Sequence, residues 1–178
     1  MRRIQGANVE VRAIGLRRPP EPALNAAFAA VRRVDGESAD RAAAALRAAG
    51  ARKGLVNLGG DHLAVFGEPL VLAVPDPADV ARPRWASFSV TDAAVSRATR
   101  RQGPVLAVTV VAKSASEAAA LASAALALPP DEAVALVTAR GASGFVLTRG
   151  GTARSILTTP GFRATHDLRP EEGVVVRP

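Results

Sequence analysis

The residues whose types and spacing could do chemistry fall in two places. The run Asn57-Leu58-Gly59-Gly60-Asp61-His62 sets an amide, a carboxylate and an imidazole around two adjacent glycines. Such a run can let a nucleotide approach the backbone, with Asp61 accepting a hydrogen bond. It can equally be a strand-ending turn that needs glycine for positive φ. The cofactor-binding candidates are Asn57, Gly59, Gly60 and Asp61. The second place is Val105 to Ala112, which runs through Lys113-Ser114 into Ala115 to Leu126. It reads as a buried strand, a tight turn and an Ala-rich helix. A helix so placed could hold a metal through a carboxylate and a hydroxyl four residues apart. Here that pair is Ala119 and Ser123, so the hydroxyl is present and the carboxylate is not. Mg²⁺ takes hard oxygen ligands, commonly with a carboxylate among them. No metal site is expected.

The other reactive side chains organise less well. His62 and His166 are the two histidines. His62 beside Asp61 could be a base and its orienter, but sequence neighbours on a strand point to opposite faces. His166 falls in a polar C-terminal stretch and is expected to be solvated. Ser96, Ser114 and Ser123 lack any nearby base, so a serine nucleophile is not expected. Arg97, Arg100 and Arg101 either grip a phosphate or form a solvated loop. No catalytic residue is assigned.

Composition narrows the class. The chain has 178 residues, 48% apolar and 22% charged, so it can bury a sizeable core and is not a disordered tract. With one Trp, five Phe and no Tyr, the core is expected to be Val, Leu, Ile and Ala. Net charge is +7, nearly all from Arg, with Lys only at Lys53 and Lys113. The arginines come as scattered pairs (Arg2-Arg3, Arg17-Arg18, Arg32-Arg33, Arg100-Arg101) without interleaved aromatic stacking platforms. That argues against a dedicated nucleic-acid binder, and Arg with abundant Ala also fits a GC-rich genome. Without Cys, disulfides and thiolate catalysis are excluded. The start has no apolar signal region, and no apolar run is long enough to span a bilayer. A cytoplasmic, bacterial protein is the expectation.

The elements that must position these residues are legible in outline. Val9, Val11 and Ala13 alternate with Glu10 and Arg12 as in a half-buried strand. Arg17 to Pro22 is a linker and helix start. Leu24, Ala27, Phe28, Val31 and Val34 keep helical spacing up to Asp35-Gly36. Ser38 is the candidate N-cap of the next helix, whose stripe is Ala42, Leu46 and Ala49, and Gly50 its C-cap. Strands follow at 55–58, 70–74, 86–90 and 105–112. Helices are expected over about 114–128 and from Pro130 to Gly141. Arg149-Gly150-Gly151 marks a hairpin between 144–148 and 153–157. Short turns between strands favour an α+β fold with a largely antiparallel sheet and packed helices. The expected organisation is one compact domain, 1–163, and a polar tail, 164–178.

The order of these motifs resembles the ApbE family, the FAD:protein FMN transferases. The resemblance is carried by Ala39-Asp40-Arg41-Ala42 through Gly50 and on to the Gly59-Gly60-Asp61 turn. It continues in Leu72-Ala73-Val74-Pro75-Asp76-Pro77, Thr91 to Ser96, and the strand-helix-Pro-helix unit from Val108 to Ala133. Thr159-Pro160-Gly161-Phe162 resembles the family's final strand. Residues 38–162 are covered, and Gly6 to Val34 resembles the first strand and helix.

The chain departs from that pattern where the family's chemistry sits. It is much shorter, and Val31 to Asp35 leads almost directly into the second helix. The family's Lys-Gly-Tyr stretch falls on Asp35-Gly36-Glu37, its Ala-Thr-Ser-Gly run on Ser96 to Thr99, and its His-Ile-Asp-Pro segment is absent. Its metal-holding Asp and Thr become Ala119 and Ser123. Breaking the pyrophosphate of FAD needs a divalent cation or clustered positive charge. The resemblance therefore implies a degenerate member without metal-dependent FMN transfer, acting by binding FAD, FMN or another flavin nucleotide, or as an assembly partner. Two alternatives stay open: an active flavin transferase or flavin-dependent enzyme with a rebuilt site, and a basic module for nucleic acid or an acidic protein. A homo-oligomer or a protein partner is expected, with the contact surface near the helix at 24–34.

Overall fold

A computed structural model describes residues 1–16, 20–77, 84–150 and 153–178. Arg17-Arg18-Pro19 of the expected linker and Gly151 of the expected hairpin turn lie outside the described residues. The elements run β1 (Arg2–Ile4), β2 (Ala7–Ile14), α1 (Glu21–Ala30), α2 (Gly36–Ala48), β3 (Lys53–Leu58), β4 (His62–Phe66), β5 (Leu70–Val74) and β6 (Ala86–Val90). They continue β7 (Ala94–Thr99), β8 (Val105–Ala112), α3 (Ala115–Leu126), α4 (Pro130–Ala139), β9 (Ser143–Gly150), β10 (Ala153–Thr158), α5 (Phe162–Thr165), β11 (Arg169–Pro170) and β12 (Val174–Arg177). The class is α+β, and of the pairings described all but that between β10 and β12 are antiparallel.

The chain divides into two compact units. The first comprises Met1–Leu70, Thr91–Ser96 and Ala112–Ala119. Its strands pair in the order β1-β2-β3-β4, with the opening residues of β7 beside β4. Register follows from alternation: Val9 pairs with Leu58, and both are fully buried. Helices α1 and α2 close this core with Ala27, Phe28, Ala39, Ala42 and Leu46. Val31, at the C-cap of α1, is buried as well, so these apolar side chains are covered within the unit itself.

Two boundaries differ from expectation. Helix α1 ends at Ala30, before Val34, and α2 starts at Gly36 with Asp35 as its N-cap rather than Ser38. The Asp35 carboxylate accepts the Ser38 N–H at 2.8 Å, satisfying a donor that would otherwise be orphaned. Ser38 is fully buried, and its Oγ accepts from the Arg41 guanidinium at 2.8 Å.

The second unit comprises Val71–Val90, Arg97–Val111 and Ala120–Pro178. Strands β8, β9, β10 and β12 lie side by side, and a small sheet pairs β11, β6 and β5. Strand β8 is buried from Val105 to Val111, as its unbroken apolar run requires. The scarce aromatics are concentrated inside the molecule, contrary to the expected aliphatic core. All five Phe and Trp85 are buried. Phe88, Phe145 and Phe162 pack with centroids 5.3–5.8 Å apart, two of the contacts edge-to-face.

The segment read as a polar tail is tied into this unit. Arg169 pairs with Ser87, and Val174 to Arg177 pairs in parallel with β10. Three consecutive β-branched valines supply the strand propensity that the polar residues before them mask. Thr159-Pro160-Gly161-Phe162 is a turn into α5, not a strand; β10 ends before it, at Thr158.

Candidate functional site

Strand β3 turns into β4 through Gly59, Gly60 and Asp61, with Leu58 paired to His62 across the turn. Gly59 has φ +68° and Gly60 φ +84°, so the turn uses conformations that side-chain-bearing residues rarely adopt. Asn57 caps it: its Oδ1 accepts the Gly60 N–H at 2.9 Å. The Gly59 N–H donates to the Asn8 carbonyl of β2 at 2.9 Å. Gly60 is exposed, with nothing within 4 Å of where a Cβ would stand, so its backbone is open to an approaching group. The structure thus brings Asn57, Gly59, Gly60 and Asp61 into one tight turn, with Asn57 fixing its shape and Gly60 providing access.

His62 begins β4 from the end of that turn. Its ring partner is Ser96 on β7, not the adjacent Asp61: Nδ1 lies 3.1 Å from Ser96 Oγ. The register His62–Ser96 in the β4–β7 ladder places the two side by side. Burial holds the His62 imidazolium below its ordinary range, against the opposing pull of the Asp61 and Asp35 carboxylates. Ser96 is fully buried and donates to the Ala115 carbonyl at 3.0 Å. The sequence expectation that Ser96 has no base nearby is corrected by this contact. A separation of 34 residues hid it, and only the strand register reveals it.

The Ala115 peptide opens α3 and is held from α2. Asp40 accepts the Ala115 N–H at 2.7 Å, the Ser116 N–H at 2.9 Å and the Ser116 hydroxyl at 2.7 Å. A carboxylate on the free N–H groups of a helix start complements the helix dipole. Gly36 permits this junction: a Cβ there would stand 2.2 Å from the Ala115 carbonyl oxygen. The glycine of the Asp35-Gly36-Glu37 stretch is therefore required by close packing, whatever stands before it. Sequence reading noted Asp40 as part of a motif but missed its role, since the bond spans 75 residues.

Beside this junction a cleft of about 260 Å³ is lined by Asp40, Arg47, Asp92, Lys113 and Ser114, among others. Its carboxylates are engaged within the chain, Asp40 as above and Asp92 as acceptor of the Gly67 N–H at 2.8 Å. Arg47 stacks on the Phe66 ring at 4.4 Å.

The remaining sequence candidates are dispersed. Ala119 is half-buried and Ser123 exposed on α3. Among the described residues, no three His, Asp or Glu side chains are gathered as for a metal ion. The donor set at this place does not fit Mg²⁺, since a methyl group and a lone exposed hydroxyl replace the needed oxygens. Arg100 donates to the Leu126 carbonyl at the end of α3 at 2.7 Å, and Arg101 is exposed. His166 is half-buried and bonded into the fold, not free in solvent. Its Nδ1 donates to the Ser89 carbonyl at 3.0 Å, and its Nε2 lies 2.9 Å from Ser143 Oγ.

The architecture around these residues has solved counterparts. The flavin transferase ApbE from Vibrio cholerae superposes with a TM-score of 0.64 at 17% identity, over 73% of this chain and 50% of that one. The apo flavinyl transferase ApbE of Pseudomonas stutzeri gives 0.59 at 20% identity, over 80% and 49%. The ApbE protein of Thermotoga maritima gives 0.61 at 20% identity, over 72% and 50%. The fold is ApbE-like. No protein-family model and no curated protein sequence matches the chain. The chain spans about half the length of these ApbE structures. Among the described residues, no helix of this ApbE-like chain is long and apolar enough to cross a membrane.

Proposed function

We propose that this ApbE-like protein binds a flavin nucleotide, FAD or FMN, and does not carry out metal-dependent FMN transfer. The observation that carries the reading is Ala119. It stands where the resemblance puts the metal-holding carboxylate, and the helix offers only Ser123 one turn on. Without a cation the non-bridging oxygens of a pyrophosphate stay unneutralised, and displacement at phosphorus is slow. Binding is a lesser demand. The open Gly60 backbone and the capped turn of Asn57, Gly59, Gly60 and Asp61 support flavin approach at the β3–β4 turn. An assembly role through the face of α1 is not favoured, because Phe28 and Val31 are buried within the chain.

Absorbance and fluorescence titration of the purified protein with FAD and FMN, with and without Mg²⁺, tests the reading. Flavin binding is expected to be independent of Mg²⁺. An acceptor protein incubated with FAD, Mg²⁺ and this protein should gain no FMN by intact mass. Ala119→Asp should gain measurable Mg²⁺ affinity by calorimetry. FMN attached to the acceptor by the unaltered protein would overturn the proposal.

A further inference from the structure

The directions of two hydrogen bonds fix the state of one imidazole. A serine hydroxyl has a single proton. Ser96 gives its proton to the Ala115 carbonyl at 3.0 Å, and a carbonyl can only accept. Toward His62, Ser96 Oγ must therefore act as acceptor, and the proton in the 3.1 Å contact belongs to His62 Nδ1. A neutral imidazole protonated at Nδ1 carries its lone pair on Nε2. Among the described residues, none donates to that atom. The far end of the relay is rigid as well. The peptide that carries the Ala115 carbonyl is held through its Ser116 N–H by Asp40 at 2.9 Å and packs closely on Gly36.

We propose that His62 reads a ligand at the β3–β4 turn, its Nε2 accepting a hydrogen bond from an N–H of a planar heterocycle, while Ser96 is the positioning residue that fixes its tautomer. This rests on the reading of that turn as a flavin nucleotide site. His62 begins the strand that leaves the turn, two residues after the open Gly60 backbone. The imide N–H of a flavin is a donor of this kind, and the exocyclic amine of adenine is another. The pyrophosphate of FAD is a poor occupant, because it has no proton to give near neutral pH and would lie near the Asp61 and Asp35 carboxylates that act on His62. Burial keeps His62 neutral and so preserves the acceptor.

Long-range ¹H–¹⁵N spectra of the ligand-free protein report the tautomer directly. The Nδ1–H form is expected for His62, and Ser96→Ala should abolish the preference. Riboflavin and its N3-methyl derivative, which lacks the imide proton, are then titrated. Unaltered protein should prefer riboflavin by about tenfold, the worth of one neutral hydrogen bond. The preference should fall to about one in His62→Ala. It should be partly kept in His62→Asn, which retains an acceptor and guards against a folding defect. Adenosine against its N6-dimethyl form makes the same comparison for the purine source. An Nε2–H tautomer, or a methyl penalty unchanged in His62→Ala, overturns this proposal and leaves the flavin reading intact. Absence of binding by riboflavin and by adenosine overturns the ligand half of this proposal; absence of FAD and FMN binding as well overturns the flavin reading with it.

Discussion

The surroundings of the two histidines differ in one decisive respect. Each imidazole is half-buried, each is held below its ordinary pKa by burial, and each touches a serine hydroxyl. Around His166 every polar valence is used: Nδ1 donates to Ser89, Nε2 accepts from Ser143, and the ring lies 4.5 Å from Phe162. Around His62, among the described residues, only Nδ1 is engaged. A histidine with both nitrogens satisfied inside the fold stabilises the fold and has nothing left for a ligand. A histidine held by one nitrogen is oriented and still has an acceptor to offer. The comparison separates structural from functional use of the same side chain, and substitutions around each can test it.

The largest effects are expected in the closed surroundings. Phe162 is fully buried and forms one wall of His166 and of the aromatic cluster. Phe162→Ala should destabilise the protein by about 4 kcal/mol in urea denaturation, through lost burial and the cavity left behind. A loss below about 1 kcal/mol would show that the cluster collapses readily and that His166 is not held by packing. In the His62 surroundings the corresponding weak point is a glycine. Gly36→Ala drives a methyl group into the Ala115 carbonyl, which must shift. A loss of about 3 kcal/mol is expected, the upper part of the range for overpacking. The His62 ring should also lose its fixed tautomer in the same variant. Stability falling while the tautomer survives would mean that Ser96 does not depend on the Ala115 peptide.

How much of this was legible in the sequence depends on whether the controlling partner is near in the chain. Strand β2 showed itself by alternation, β8 by its apolar run, and the β9–β10 hairpin by Arg149-Gly150. Their periodicities are local consequences of one or two buried faces. Strand β4 gave no such signal, because Leu63 to Phe66 are all buried and four residues carry no period. The candidate turn was legible because Gly59-Gly60 needs only its own backbone geometry. The His62–Ser96 contact, the Asp40 cap and the anchoring of His166 were not. Each joins residues 23 to 77 apart, and nothing in either sequence neighbourhood names the other. Asp35 displaced Ser38 as the N-cap because burial draws Ser38 inward to Arg41, which a propensity ranking does not weigh.

Truncating the histidines themselves gives a smaller and more diagnostic effect. His166→Ala leaves the Ser89 carbonyl and the Ser143 hydroxyl without their partner and removes a ring from Phe162. A loss of about 2 kcal/mol is expected. His62→Ala frees only Ser96, which keeps its bond to Ala115, and should cost about 0.5 kcal/mol. Flavin titration should show the reverse order, with affinity reduced in His62→Ala and unchanged in His166→Ala. Equal stability losses in the two variants would erase the distinction between them.

The smallest effect lies in pH. Both histidines have folded-state pKa values below the ordinary 6.5, because burial penalises the charged ring. The unfolded chain then binds more protons than the folded one between the folded pKa and 6.5. Their contribution to stability is fully present above pH 6.5 and declines as pH falls below it. Urea midpoints measured from pH 7.5 to 5 should follow that sign, and each His→Gln variant should flatten the slope in part. A bound ligand divides the two. A donor seated on Nε2 competes with the proton there, so riboflavin should move the NMR titration of His62 to lower pH. The His166 titration should stay in place, since both of its nitrogens are already committed within the fold. A shift of both histidines would point to a general tightening of the protein, and a shift of His166 alone would assign the open acceptor to the wrong ring.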